Sequence, residues 1–130
     1  MNQEDFSGSL PRGLWISAIQ AASIIKNASV IAIASHIDAD GISAGAIAKL
    51  SLDRMGVESS VQFFKKLDDQ ALASLRERHA DLIWFTDLGS GSASKIEGTT
   101  AVITDHHVPE AAAQSQRNRG QALLSDFSTV

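Results

Sequence analysis

The chain has 130 residues, of which 44% are hydrophobic and 20% are charged, and its formal net charge is −4. This composition is typical of one globular domain and argues against an intrinsically disordered chain. The sequence has no cysteine, which excludes disulfides, zinc–thiolate sites, iron–sulfur ligation and thiol catalysis. The net negative charge gives no bulk electrostatic reason to bind nucleic acid, although two divalent cations would cancel it.

No apolar run reaches the roughly 18 residues that a membrane-spanning helix needs. The polar start MNQEDFSGSL does not have the pattern of a signal peptide. We therefore expect a cytoplasmic protein that is not attached to a membrane. Residues 1–12 are predicted to be a flexible lead-in, and residues 13–130 are predicted to form the domain.

Hydrophobic spacing predicts helices alternating with strands along most of the chain. The predicted elements are a helix from Leu14 to about Lys26, strand Val30–Ser35, helix Ile42–Met55 with Gly56 as its capping glycine, strand Val57–Phe64, a helix from Asp68 or Asp69 to about His79, and strands Leu82–Thr86 and Thr100–Thr104. This alternation predicts an α/β fold, a three-layer α/β/α sandwich with a mainly parallel, Rossmann-like sheet. Beyond Pro109 the pattern weakens, and Glu110–Gly120 is either a polar helix or a loop.

Side chains that can bind metal follow three of the four predicted strands. They are His36, Asp38 and Asp40 after the first strand, Asp87 after the third, and Asp105, His106 and His107 after the fourth. The first three alternate, so an extended segment would project them from one side. Sites in parallel α/β sheets form outside the carboxyl ends of the strands, and we therefore expect all of these side chains to converge.

The mixture of carboxylates and imidazoles favours manganese, with magnesium as the alternative. The number of ligands exceeds the need of one catalytic ion and suits a pair of ions. A two-metal centre clamps a phosphoryl group and lowers the pKa of a bound water, which makes hydroxide available near neutral pH. No serine stands in the sequence context of a nucleophile elbow. The residues therefore predict a metal-dependent phosphoester hydrolase.

Three sequence stretches, SHIDADGISAGAIA, FTDLGSG and VITDHH, resemble the motifs of the DHH phosphoesterase superfamily. The residues of these motifs are most similar to those of the archaeal RecJ-like branch, and the resemblance extends over about residues 28–109. It implies that the chain contains the N-terminal DHH domain of such a protein. The sequence does not include a match to the family's smaller C-terminal substrate-binding domain, and we therefore expect a truncated chain.

The resemblance implies two manganese ions and a role for each ligand. His36 and Asp38 would bind one ion, Asp40 and His106 would bind the other, and Asp87 would bridge them. The family supplies a further aspartate to the second ion from a fourth motif.

Two residues of the DHH motif and one glycine would act beside the metals. Asp105 would orient or bind within the ligand set, and His107 would face the substrate phosphate as a charge stabiliser or proton donor. Gly41 would allow the tight turn into a helix whose N–H groups point at the anion. Asp126 is the nearby candidate for the missing fourth-motif aspartate, but its context, LLSDFSTV, departs from the family pattern.

The function implied is a binuclear manganese exonuclease that acts on single-stranded DNA or RNA through an activated water, with replication or repair proteins as partners. One alternative keeps this chemistry for small substrates: oligonucleotides, cyclic dinucleotides, nucleotide phosphates or pyrophosphate. Another is a non-catalytic scaffold in a replication or repair assembly. Taken alone, the His36–Gly41 stretch also fits a polar turn that caps a helix, and Lys65 and Lys66 fit a solvated face.

Overall fold

The structure is a computed structural model, and it describes residues 10–108 together with the backbone of residues 123 and 124. Within this part of the chain, no helix combines the length and the apolar character needed to cross a bilayer. Residues 1–9, Glu110–Gly120 and Asp126 lie outside the described residues, so the predictions that concern them stay predictions.

Helices and strands alternate along the described chain. The helices are α1 (Arg12–Asn27), α2 (Ala39–Arg54), α3 (Asp69–Arg76) and α4 (Ala93–Ile96), the last preceded by a 3-10 turn at Ser90–Ser92. The strands are β1 (Val30–His36), β2 (Glu58–Phe64), β3 (Leu82–Thr86), β4 (Ala101–Thr104) and β5 (Leu123–Leu124).

The strands form one five-stranded sheet in the order β2-β1-β3-β4-β5, and every pairing is parallel. The predicted α/β fold with a parallel sheet is therefore confirmed. β1 lies between β2 and β3, and residues 31–35 are buried, because a central strand with helices on both sides exposes neither face.

Each face of the sheet is covered by its own apolar cluster. On one face, α1 and α2 pack against Ile31, Ile33, Leu82 and Val102. On the other, α3 and α4 pack against Ala32, Ala34, Phe85 and Ile103. Side chains at alternate strand positions therefore serve opposite layers, and the carboxyl ends of the strands remain available at one edge.

The segment after β1 differs from its sequence-based prediction. Helix α2 begins at Ala39, three residues before the predicted start, because the carboxylate of Asp38 accepts a hydrogen bond from Gly41 N and caps the helix. His36 is therefore the last residue of β1, whereas Asp40 lies in the first turn of α2. The expectation that all three alternate side chains project from one extended segment was wrong.

The ends of the next two helices follow their capping residues. Gly56, with φ 71°, ends α2 as predicted. Asp68, rather than Asp69, caps α3, because its carboxylate accepts from Ala71 N at 2.8 Å. Helix α3 ends at Arg76, earlier than predicted, and His79 follows in the left-handed conformation with φ 50°.

Candidate metal centre

The turn from β1 to α2 brings backbone and side chains into very close contact. The N–H of Gly41 donates to Asp38 Oδ1 at 2.8 Å, and this hydrogen bond is the largest cause that lowers the pKa of Asp38. A Cβ on Gly41 would lie 2.0 Å from the carbonyl oxygen of His36. Only glycine fits there, for reasons of space, which supports the role that the sequence predicted for this residue.

The imidazole of His36 is oriented by a neighbouring strand end. Its Nε2 lies 3.2 Å from the carbonyl oxygen of Lys65, so Nε2 carries the proton and donates it. Nδ1 is then the nitrogen with the free lone pair. It is buried, it lies 2.8 Å from Asp38 Oδ2, and it has no hydrogen-bond partner among the described residues. Two electron-pair donors that face each other at this distance require either a proton or a metal cation between them.

Asp87 stands at the end of β3 in a strained, buried position. Its φ is 58°, a conformation that aspartate tolerates better than most residues, and its N–H donates to the carbonyl oxygen of Thr104 at 2.9 Å. The residue is 6% exposed, and Oδ1 lies 2.8 Å from His106 Nε2. Oδ2 is buried without a partner among the described residues. Burial, followed by the charge of Asp38, raises the pKa of Asp87.

Asp105 and His107 form a hydrogen-bonded pair after β4. Asp105 is 5% exposed and accepts from Ser90 N at 3.2 Å and from His107 Nδ1 at 2.5 Å. Burial alone would raise the pKa of Asp105, but the hydrogen bonds from His107 and Ser90 outweigh it, so the pKa is lowered. The same hydrogen bond, which His107 donates to Asp105, raises the pKa of His107. The pair therefore favours a carboxylate beside an imidazolium.

Two groups of possible ligands converge at the carboxyl edge of the sheet. In each group the ligand atoms lie within 4.8 Å of one another. One group contains His36, Asp38 and Asp87, and the other contains Asp87, Asp105, His106 and His107. Asp87 is shared by both, and its orphaned buried oxygen fits a bound divalent cation.

Asp40 is the one predicted ligand within the described residues that belongs to neither group. It lines an open cleft of about 440 Å³ that also contains Asp87, Asp105 and His106. Because α2 begins at Ala39, Asp40 is the second residue of the helix, and it lines this cleft. The structure thus brings Asp40 to the site, but it does not bring it to the distance of a ligand set.

A second open groove, of about 280 Å³, lies on the other side of Asp87. Its wall includes His36, His107, Lys65 and Lys66. The two lysines were predicted to form a solvated face, and both are exposed, but they also line this groove. They directly follow β2, so the strand-end rule that found the other site residues would have found them as well.

No protein-family model and no curated protein sequence matches the chain. Solved structures do match its fold. One is the crystal structure of exonuclease RecJ bound to manganese, which is 21% identical with a TM-score of 0.62; the alignment covers 78% of this chain and 29% of that one.

Another is RecJ from Thermus thermophilus in complex with Mn²⁺, which is 22% identical with a TM-score of 0.61; here the alignment covers 78% of this chain and 16% of that one. The chain thus spans less than a third of the length of either protein. These comparisons show that the chain shares the fold of part of the RecJ structures.

Proposed function

We propose that the protein is a divalent-metal-dependent phosphodiesterase of the DHH superfamily, of the archaeal RecJ-like type, that hydrolyses single-stranded nucleic acid from an end. The observation that carries this proposal is the position of Asp87, which belongs to both groups of possible ligands and has one buried oxygen without a partner among the described residues. The shared fold with two RecJ structures that contain manganese supports it.

The proposed ligands divide between two manganese ions. His36 Nδ1 and Asp38 would hold one ion, and His106 would hold the other, with Asp87 between them. The resemblance assigns Asp40 to the second set, and Asp40 lines the same cleft as Asp87 and His106. When bound, such ions supply the positive charge that stabilises a phosphoryl group and activates water. The bond from His36 Nε2 to the Lys65 carbonyl supports this division, because it leaves Nδ1 free to bind.

The proposed role of His107 follows from its bond to Asp105. The carboxylate keeps the proton on Nδ1 and raises the pKa of the imidazole, so a larger fraction is charged near neutral pH. His107 lines the groove beside Asp87, where an imidazolium can stabilise negative charge on a phosphate or donate a proton from Nε2. Asp105, which is buried and bonded to Ser90 N, holds this imidazole in place.

A second candidate keeps the chemistry but takes a small substrate, such as a short oligonucleotide, a cyclic dinucleotide, a nucleotide phosphate or pyrophosphate. The charge distribution of the chain favours a small substrate. The net charge is −4, and the groove is lined by two cationic residues, Lys65 and Lys66, within the described part of the chain. A longer nucleic acid strand would usually be bound by a more extended basic surface.

The decisive variant is Asp87→Asn, because asparagine also tolerates the left-handed backbone of this position. We expect it to fold, to lose Mn²⁺ affinity by about 100-fold or more, and to lose cleavage of a labelled single-stranded oligonucleotide. The matched control is Asp53→Asn, which removes the exposed partner of Lys49 in α2. Cleavage by Asp87→Asn at the rate of the unaltered protein would contradict the proposal.

A substrate panel separates the two candidates. The unaltered protein with Mn²⁺ is given oligonucleotides of increasing length, a cyclic dinucleotide and pyrophosphate. The exonuclease proposal expects the value of kcat/KM to rise with strand length, whereas the alternative expects it to be highest for the smallest substrates. Binding of Mn²⁺ without turnover of any of them would favour a non-catalytic scaffold.

A further inference from the structure

Two buried hydroxyl groups lie directly beneath the candidate metal centre. Ser35 is 0% exposed and Thr86 is 3% exposed, and they are paired in register on the neighbouring strands β1 and β3. The hydroxyl of Thr86 donates to Ser35 Oγ at 2.7 Å. Neither residue is among the possible metal ligands, and neither can act as a nucleophile from this position because both lie inside the sheet.

The hydroxyl of Ser35 reaches two carbonyl groups on different elements. Its Oγ lies 2.5 Å from the carbonyl oxygen of Gly41 and 2.9 Å from that of Thr86. The single O–H of Ser35 is shared between these two acceptors, which belong to the first turn of α2 and to the end of β3. The hydroxyl of Thr86 donates in turn to Ser35 Oγ. The two buried side chains therefore form a hydrogen-bonded cross-link between α2, β1 and β3.

Each end of this cross-link adjoins a proposed ligand. Ser35 immediately precedes His36, and Thr86 immediately precedes Asp87. Gly41 follows Asp40, and its N–H donates to the capping carboxylate of Asp38. The two ligand groups share Asp87 but come from separate strand ends. Their spacing therefore depends on how firmly β1, α2 and β3 are held together at this edge.

We propose that Ser35 and Thr86 are positioning residues that set the separation between the His36–Asp38 side of the metal centre and Asp87. This inference rests on the proposed metal-dependent function. Groups that hydrogen-bond a metal ligand directly commonly contribute about 10-fold to 100-fold in metal affinity. Ser35 and Thr86 bond each other and the backbone next to the ligands, so we expect an effect at the lower end of this range, through ligands that are already placed before the ion binds.

The test compares Mn²⁺ dissociation constants measured by calorimetry, at a temperature where circular dichroism shows every variant folded. Ser35→Ala and Thr86→Val remove one hydroxyl each, and we expect about 10-fold weaker binding and an altered electron paramagnetic resonance spectrum of bound Mn²⁺. Thr86→Ser keeps the hydroxyl, and we expect its affinity to remain within about twofold of the unaltered protein. If Ser35→Ala does not fold, the comparison of Thr86→Val with Thr86→Ser decides.

The control is Ser74→Ala, which removes a hydroxyl on α3 that accepts a hydrogen bond from Gln62 Nε2. A purely structural role would lower the melting temperature of all the hydroxyl deletions and leave their Mn²⁺ affinities equal. Equal affinity and an unchanged spectrum for Ser35→Ala and Thr86→Val would overturn this inference while the proposed function stands. Failure of the unaltered protein to bind Mn²⁺ would overturn the proposed function, and this inference with it.

Discussion

The imidazole of His107 is held by the carboxylate of Asp105 through a hydrogen bond of 2.5 Å between Nδ1 and Oδ1. Asp105 is buried and also accepts from Ser90 N, so it is fixed before His107 binds to it. An exposed histidine thereby gains a raised pKa from a buried partner. This relationship makes the protonation of His107 a measurable property of the protein without metal.

We expect Asp105→Asn to lower the pKa of His107, because the neutral amide no longer stabilises the imidazolium. An NMR titration of the imidazole signals of the metal-free protein measures this, and His107→Gln assigns the signal. Since the folded pKa is raised above 6.5, His107 stabilises the fold fully below that pH, and the contribution is lost as the pH rises through the folded pKa. A His107 titration that is the same in the unaltered protein and in the Asp105→Asn variant would contradict the prediction.

Gly41→Ala should destabilise the protein severely. Its Cβ would lie 2.0 Å from the His36 carbonyl oxygen, and the nearest atoms are backbone, so they cannot move aside cheaply. We expect the free energy of unfolding to fall by about 3 kcal/mol or more, measured by urea denaturation.

The matched control for this change is Gly13→Ala in α1, where a Cβ would meet no atom within 4 Å. Alanine is favoured over glycine in a helix, so we expect this variant to gain about 0.5 kcal/mol. Equal stability losses for the two alanine variants would show that the turn after β1 is not closed as the structure has it.

Asp81 should stabilise the opposite edge of the sheet in a pH-dependent way. Its carboxylate accepts from Ser29 N at 2.8 Å and from Val30 N at 2.7 Å, and these bonds lower its pKa below the usual 3.8. A lowered carboxyl pKa gives stability that is present above the unfolded pKa and lost as the pH falls through the folded one. We therefore expect Asp81→Asn to be less stable than the unaltered protein at pH 7.

Thermal unfolding at a series of pH values tests this: the deficit of Asp81→Asn should shrink as the pH falls below 3.8 and vanish once the pH is below the lowered pKa of the folded protein. The control is Glu97→Gln, which removes an exposed carboxylate elsewhere on the surface. A deficit of Asp81→Asn that persists unchanged into acid would mean that its cause is not the ionised carboxylate.

Lys65 and Lys66 should attract an anionic substrate to the groove that they line. If the proposed function holds, changing both lysines to alanine raises the KM for an oligonucleotide. It also makes the binding constant less sensitive to salt: the slope of its logarithm against the logarithm of the salt concentration becomes smaller in magnitude by about 1 for each phosphate that is no longer neutralised. Lys26→Ala is the control, because Lys26 lies in the last turn of α1, on the side where β1 begins. If neither the KM nor the salt dependence changes, the two lysines do not contact the substrate and form only a solvated face.

Much of the fold was predictable from local pattern. The apolar run of β1 and the glycine that ends α2 are signals that depend only on residues nearby in the sequence. Their predicted positions agree with the structure to within one or two residues. The start of α2 was predicted three residues late, because the metal-site interpretation of His36, Asp38 and Asp40 was preferred to the alternative of a capping turn, and in the structure Asp38 does cap the helix through Gly41 N.

The local pattern of the sequence already shows that metal-capable residues stand at the ends of separate strands, since both the strand pattern and the residue types are local properties. The folded structure establishes which of these residues meet. It joined Asp87 to both groups of possible ligands and left Asp40 to the cleft, because that outcome depends on the parallel register of β1, β3 and β4 and on the angle at which α2 leaves β1. It also placed Ser35 and Thr86 in contact across 51 residues of sequence, a separation at which no periodic pattern can specify a hydrogen bond.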